Sequence, residues 1–207
     1  MLRSSALFQA VALPYELLTR HPVWRRHCAR MALELPAGAR HVLDLGCGPG
    51  NSTVQLPAGA IGADHALSML HRARRLEPRM PLLCLDAIAL PVRSGSLDAV
   101  TFHSVLYLLP DQPAVLRETA RVLRPGGRAV LLEPQDGARA TGRALLRALP
   151  RPRWAITALL WRTMSGFYGS FSPAQLRLLL EGAGLRVLKL DEALDGLGLL
   201  AVAERPA

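Results

Sequence analysis

Short apolar runs repeatedly end at a polar residue or a glycine, and the stretches between them space their apolar positions three and four apart. The first run, His41–Leu45, meets the glycine-rich turn Gly46-Cys47-Gly48-Pro49-Gly50. A second, Ala60–Ala63, stops at Asp64; a third, Leu82–Leu85, stops at Asp86. The fourth, Asp98–Phe102, ends at His103, and a fifth spans Arg128–Glu133. Apolar runs this short, bounded by turn signals, predict buried strands. Between them a helix is predicted from near Ala66 through Leu67, Leu70 and Ala73 until Pro78. Another follows Pro113 and carries Val115, Leu116, Thr119 and Val122 on one side. Pro125-Gly126-Gly127 should stop it, because proline lacks a donor and glycine accepts left-handed backbone. Pro173–Glu181 reads as a late helix closed by Gly182–Gly184, and the strands Leu185–Leu190 and Leu199–Ala203 lie close enough to pair as a hairpin.

Strands alternating with helices predict an α/β fold with a mostly parallel sheet covered on both faces and a terminal antiparallel pair. No repeat or linker divides the chain, so a single domain over residues 1–207 is expected. Two helical segments fall outside the alternation: a cap over residues 1–38 and an inserted lid over 137–170. Both could cover the C-terminal edge of the strands, where ligands of open α/β sheets bind.

Composition narrows the class. The 207 residues are 50% hydrophobic and 20% charged, as in a compact globule. No stretch approaches the roughly 18–20 uncharged apolar residues of a membrane span. The opening MLRSSALFQAVAL has a short apolar run followed by Pro14, Tyr15 and Glu16, which suits an amphipathic helix better than a secretion signal. Cys28, Cys47 and Cys84 are far apart and odd in number, so neither a disulfide framework nor a metal site is expected. A reducing, cytoplasmic location follows. The net charge is +9, nearly all from arginine, with Lys189 the only lysine. Arg139, Arg143, Arg147, Arg151, Arg153, Arg162 and Arg177 fall between Gly137 and Leu180 with no acid among them. Such a block suits an anionic substrate, a membrane surface or nucleic acid, or else simply a solvated helix face. Arg139, Arg143 and Arg147 recur every four residues, and Trp154 and Trp161 share a face. Residues 138–162 are therefore read either as a peripheral membrane contact or as a lid whose tryptophans pack on the sheet.

The chemistry concentrates at the glycine turn. Glycine allows close approach of backbone to a ligand because it lacks a Cβ and tolerates positive φ. The spacing is GxGxG, with Asn51 where a dinucleotide fingerprint needs its third glycine. Asp44, two residues before the turn, favours a cationic ligand over a pyrophosphate. Here the chain resembles the class I S-adenosylmethionine-dependent methyltransferases, most closely the ubiquinone/menaquinone-biosynthesis (methyltransferase type 11-like) branch. Ser96–Ser104 and Leu123-Arg124-Pro125-Gly126-Gly127 resemble later blocks of that family. The resemblance implies a Rossmann-like, seven-stranded, mostly parallel sheet with helices on both faces and a C-terminal antiparallel hairpin. It also implies S-adenosylmethionine as cofactor. Asp44 would help place the cationic methionine end, and Gly46, Gly48 and Gly50 would pack beneath the ligand, with the Cys47 backbone near. Asp64 would accept both ribose hydroxyls, His65 would pack on adenine, and Asp86 with the Ala87 amide would read the adenine edge. One departure stands out: Gly50 and Asp64 are fourteen positions apart, with Pro57 between, so any helix after the glycine turn has only a turn or two.

Methyl transfer from a sulfonium needs positioning and dehydration more than a nucleophile. His103, at the end of the fourth strand, is the candidate base and, alternatively, a cofactor contact. Tyr15, Tyr107, Glu133 and Tyr168 rank below it. The place after the fourth strand reads His103-Ser104-Val105-Leu106-Tyr107, without the D/N-P-P-aromatic signature of the family's DNA amino-methylating branches, so a DNA partner is not expected. The leading expectation is C- or O-methylation of a small, lipophilic or aromatic acceptor. A cofactor-binding module without transferase activity and an RNA-directed methyltransferase stay open, and a nicotinamide dehydrogenase is more distant. No metal is expected.

Overall fold

The computed structural model describes residues 21–137 and 152–207. The earlier part of the cap, including Tyr15, lies outside them, as do Arg139, Arg143, Arg147 and Arg151 of the arginine block. In chain order the elements are α1 (Pro22–Ala32), β1 (Val42–Leu45), β2 (Ile61–Asp64), α2 (Leu67–Leu76), β3 (Leu82–Cys84) and β4 (Leu97–His103). There follow α3 (Gln112–Val122), β5 (Leu123–Pro134), α4 (Pro152–Tyr168), α5 (Pro173–Gly182), β6 (Arg186–Ala193) and β7 (Gly198–Glu204). The seven strands form one sheet in the order β3-β2-β1-β4-β5-β7-β6. β3, β2, β1, β4 and β5 pair in parallel, and β7 pairs antiparallel to both β5 and β6. The order reverses direction at β1, so β1 and β4 flank a topological switch point, the crevice where such sheets bind ligands.

The helices start where capping chemistry allows. Asp111 accepts the Ala114 amide at 2.9 Å to open α3, and Pro113 stands in its first turn, where a missing amide costs nothing. Ser172 and Gln175 form a reciprocal capping box on α5. Val115, Leu116, Thr119 and Val122 are the buried face of α3, as the spacing predicts. Its end differs from expectation. The helix stops at Val122, and Leu123 through Gly127 belong to β5. Leu123 pairs with Leu97, and the Gly126 amide and Gly127 carbonyl bond Arg205. The pairing partners lie far along the chain, so local turn signals could not reveal a strand here.

The period-two alternation of the strands divides the core. Leu43, Leu45, Val100, Phe102, Leu131 and Ala201 join a cluster with α3 and α5 residues such as Leu116 and Leu176. Val42, Ala99, Val130, Leu132, Leu200 and Val202 face the other way, against Trp24, Cys28 and Met31 of α1 and Trp154, Ala158 and Trp161 of α4. Trp154 and Trp161 do share a face, and that face is turned inward. Arg162 of the arginine block bonds the Gln135 carbonyl at 2.8 Å, and Arg177 pairs with Glu181 at 3.4 Å. Among the described residues no helix is long and apolar enough to cross a membrane.

Candidate active site

β1 and β4 lie side by side with Asp44 level with Thr101. Because successive side chains alternate across a strand, Asp44, Thr101 and His103 all project toward α1 and α4. Asp44 is wholly buried. It accepts hydrogen bonds from Ser52 Oγ at 2.7 Å, Thr53 Oγ1 at 2.6 Å and Thr101 Oγ1 at 2.9 Å, and it pairs with His103 Nδ1 at 2.9 Å. Ser52 and Thr53 arrive from the segment after the glycine turn, which makes only a 3-10 turn over Thr53–Gln55. The short segment seen in the sequence therefore places two hydroxyls on the carboxylate. A buried charge needs partners of this kind. Burial raises the Asp44 carboxyl, but the His103 charge and the hydrogen bonds outweigh it and hold the group below its ordinary value. Burial likewise lowers the His103 imidazole, yet the charge of Asp44, with Cys28 beside the ring, carries it up to about 10. Each group thereby favours the charged form of the other. His103 Nε2 is buried and makes no hydrogen bond.

The glycine turn is held from within. The Gly46 and Cys47 amides both donate to the Ala63 carbonyl, at 2.7 and 2.9 Å, and the Gly50 amide donates to the Cys47 carbonyl at 3.0 Å. The Gly48 amide donates to Asp64 Oδ2 at 2.9 Å, while Asp64 Oδ1 accepts the Ala66 amide at 2.8 Å. A phosphate loop must offer free amides; this turn spends four of them on the protein. Burial pushes the Asp64 carboxyl up, against those two amides. Gly46 has φ +72°, and a Cβ there would meet Val105 Cγ2 at 2.3 Å, so the loop after β4 lies directly on the turn. Gly50 instead faces α2: a Cβ on it would press Ala73 and Met80.

That loop is fixed by a residue ranked low from sequence. Glu133, wholly buried at the end of β5, accepts the Leu106 amide at 2.9 Å, the Val105 amide at 3.1 Å and the Tyr107 amide at 3.3 Å. Burial raises its carboxyl to about 7 in spite of these bonds and the His103 charge. Ser104 takes a left-handed conformation, φ 61°, uncommon for a residue with a side chain. Its hydroxyl accepts Trp161 Nε1 at 2.9 Å, which ties β4 to α4. Burial pushes the Tyr107 phenol up.

A narrow cleft with a cavity volume of about 10 Å³ opens between these parts, lined by Trp24, Gly46, Cys47, Pro49, Asn51, Ser52 and His103. Trp161 meets Trp24 edge-on, with ring centroids 6.0 Å apart. The cleft is smaller than a pocket for a whole drug-sized ligand. Asp64 and Asp86 stand outside it, half-buried at the ends of β2 and just past β3. Four parallel strands at the usual spacing put these ends along an edge roughly 14 Å long.

The structure thus brings Gly46, Cys47 and His103 together in the cleft, with Gly48 and Asp64 joined to them by a hydrogen bond. Asp44 lies beneath rather than in the cleft, saturated by its own neighbours. Asp86, whose Oδ1 accepts the Ile88 amide at 3.2 Å, and Ala87 stand further along the edge, with His65 exposed beside Asp64. Sequence reasoning missed Trp24, Ser52, Thr53, Thr101 and Ser104. The uninterrupted polar run Asn51-Ser52-Thr53 next to the turn was the available signal for two of them. Among the described residues no group of His, Cys, Asp or Glu could hold a metal ion.

Comparison with known proteins agrees with the fold. Residues 43–131 match the family described as methyltransferase domain. The chain is 39% identical over 169 residues to a demethylmenaquinone methyltransferase of Mycobacterium sp. (strain KMS), covering 74% of this chain and 71% of the relative. Among solved structures, a methyltransferase from Thermotoga maritima superposes with a TM-score of 0.71 at 19% identity, over 97% of this chain and 99% of that one. The cyclase SpnF does so with a TM-score of 0.73 at 15% identity, over 98% and 96%. At such identities the superpositions speak for the fold alone.

Proposed function

The chain belongs to the S-adenosylmethionine-dependent methyltransferases, and from that premise we propose that it methylates a small lipophilic or aromatic acceptor at carbon or oxygen. The observation that carries the proposal is the cleft itself, with an Asp44–His103 floor, a tryptophan wall and a glycine turn whose amides are already spent. Such a site fits an apolar-flanked ligand end and, with its amides spent, does not fit a phosphate. When bound, S-adenosylmethionine supplies an electrophilic methyl group on positively charged sulfur.

The residues of this chain divide the remaining work. Gly46, Cys47 and Gly48 let the backbone approach the methionine end, and the Asp44–His103 pair forms the polar floor beneath them. Gly50 serves the cofactor indirectly, by seating the turn against α2. Asp64 keeps further lone pairs beyond its two backbone bonds, and a half-exposed carboxylate with two oxygens suits the vicinal hydroxyls of ribose. His65, Asp86 and Ala87, along the β2–β3 edge, bind adenine. Trp24 and Trp161 exclude water where methyl and acceptor meet, which strengthens electrostatic interactions inside. In this reading α1 and α4 are the described parts of the cap (1–38) and the lid (137–170) over a single domain. The acceptor class rests on the likeness to demethylmenaquinone methyltransferases together with the aromatic wall.

Calorimetric binding of S-adenosylmethionine to wild type and Asp64→Ala tests the cofactor assignment. The variant should lose at least about tenfold in affinity, or 1.4 kcal/mol. Unchanged affinity removes Asp64 from the site. Turnover to S-adenosylhomocysteine with reduced quinones and phenols tests the transfer. Binding without turnover on any of them would leave a cofactor-binding module.

A further inference from the structure

α1 and α4 lie side by side on one face of the sheet, touching through Trp24 and Trp161, and their inward sides fill the core there. On α4 the buried positions are Trp154, Ala158, Trp161 and Ser165. At 3.6 residues per turn, Ile156, Leu159 and Phe167 fall on the opposite side, and they are 61%, 54% and 84% exposed. The helix is therefore apolar on both sides but buried on one, where a surface helix normally turns polar residues outward. The tryptophans expected as a membrane contact face the sheet, and a second apolar stripe faces away from it. On α1, Trp24, Cys28 and Met31 are buried. Arg26 and Arg30, with Leu33 just past the helix end, lie on its outward side and are exposed. Neither helix contains an acid.

We propose that the outward face of α1 and α4 docks on an anionic lipid bilayer, with Ile156, Leu159 and Phe167 entering the boundary between headgroups and acyl chains and Arg26 and Arg30 meeting lipid phosphates. The inference goes beyond the functional reading above and does not depend on it. Charge and apolarity together select the occupant. A second copy docked by two-fold symmetry sets the patch against itself, bringing the arginines of both copies together with no acid from either helix to receive them. A nucleic acid pairs with the arginines but leaves the apolar stripe in water. An anionic bilayer satisfies both, since an interfacial helix sinks its apolar side below the headgroups while nearby arginines are held by their negative potential.

Docking in this way sets the cleft near the bilayer. Trp24 borders the cleft from the inward side of α1, about one helix diameter, or roughly 10 Å, from the outward side. The rival explanation of any attraction is the net charge of +9, which draws the whole chain toward an anionic surface. Arg117 of α3 and Arg177 of α5 serve as the comparison. Both are exposed, on helices that pack against the other face of the sheet.

Co-sedimentation of the full chain with lipid vesicles tests the proposal. Wild type should bind vesicles of equimolar phosphatidylcholine and phosphatidylglycerol and leave pure phosphatidylcholine largely unbound. Arg26→Gln with Arg30→Gln should weaken binding to the mixed vesicles about 25-fold, at about fivefold for each arginine near such a surface. Arg117→Gln with Arg177→Gln should change it less than about twofold, because those charges stay far from the lipid and are screened. Ile156→Ser, Leu159→Ser and Phe167→Ser together should weaken it at least about tenfold. All seven side chains are exposed, so unfolding midpoints should match wild type and show that lost docking is not lost folding. Equal losses in the two arginine pairs overturn the proposal by tracing binding to net charge alone. Undiminished binding in the triple serine variant overturns it as well, as does a wild type that ignores the mixed vesicles. A dimer seen by analytical ultracentrifugation without lipid, and abolished in the triple variant, assigns the face to a second copy instead. Binding to a single-stranded RNA that wild type prefers to the vesicles, and that the triple variant retains, assigns the arginines to nucleic acid and likewise overturns it.

Discussion

Gly38 and Gly46 offer a matched pair for the site's tightest contact. Both have φ +72°, but a Cβ on Gly38 meets nothing within 4 Å, whereas one on Gly46 would sit 2.3 Å from Val105 Cγ2 and 2.8 Å from its Cβ. Alanine at either position pays the left-handed penalty, about 1–2 kcal/mol. Either alanine also restricts the unfolded chain equally, so that contribution cancels between them. Gly46→Ala additionally overpacks the turn against the loop after β4, at about 1–3 kcal/mol. The excess over Gly38→Ala is therefore about 1–3 kcal/mol, or roughly 2–12 °C in Tm for a chain of this size. Urea and thermal unfolding of both variants measure it. Adding Val105→Ala to Gly46→Ala should recover part of the excess, since both Cγ atoms go but the Cβ contact stays. Because the loop borders the cofactor cleft, Gly46→Ala should also weaken S-adenosylmethionine binding while Gly38→Ala does not. Equal stabilities for the two single variants would refute the crowding argument.

Trp161→Phe keeps the apolar bulk and removes the bond to Ser104 Oγ; it should cost about 1 kcal/mol and raise the acceptor KM while leaving S-adenosylmethionine affinity within about twofold. Trp154→Ala, at a wholly buried site, should cost about 3–5 kcal/mol by denaturant unfolding; a loss below about 1 kcal/mol would mean that α4 does not pack on the sheet as described. Glu133 has a raised carboxyl, about 7 when folded against an ordinary 4.5, so ionising it penalises the folded state and stability should fall as pH rises from about 4.5 to 7. Glu133→Gln should flatten that slope, and identical slopes in urea unfolding across this range would contradict it. Asp98 accepts the Arg40 and His41 amides at 2.7 and 2.9 Å and pairs with Arg124, which hold its carboxyl below the ordinary value despite burial. Its contribution is present above the ordinary carboxyl pKa and lost as pH falls through the folded one. Asp98→Asn should accordingly cost about 1–2 kcal/mol near neutrality, with the difference shrinking in acid.

What the chain's residues determined by themselves is the succession of elements. The buried face of α3, the strand that stops at Asp64 and the tightness of the glycine turn follow from spacing and glycine's conformational range, which depend on near neighbours. The family was legible too, through the glycine turn and the later blocks that resemble its members. What only the tertiary structure decided is what each polar group does. Asp44 reads as a ligand contact from its place before the turn, but Thr101 and His103 reach it from 57 and 59 positions away and fill it. Glu133 shows nothing in its neighbourhood that marks it, because the amides it holds lie 26 to 28 positions earlier. The same applies to Trp154 and Trp161: their spacing establishes a shared face, while the direction of that face depends on the apolar sheet surface they cover. Periodicity is encoded along the chain, whereas pairing between side chains depends on strand order and register, and those exist only once the sheet has formed.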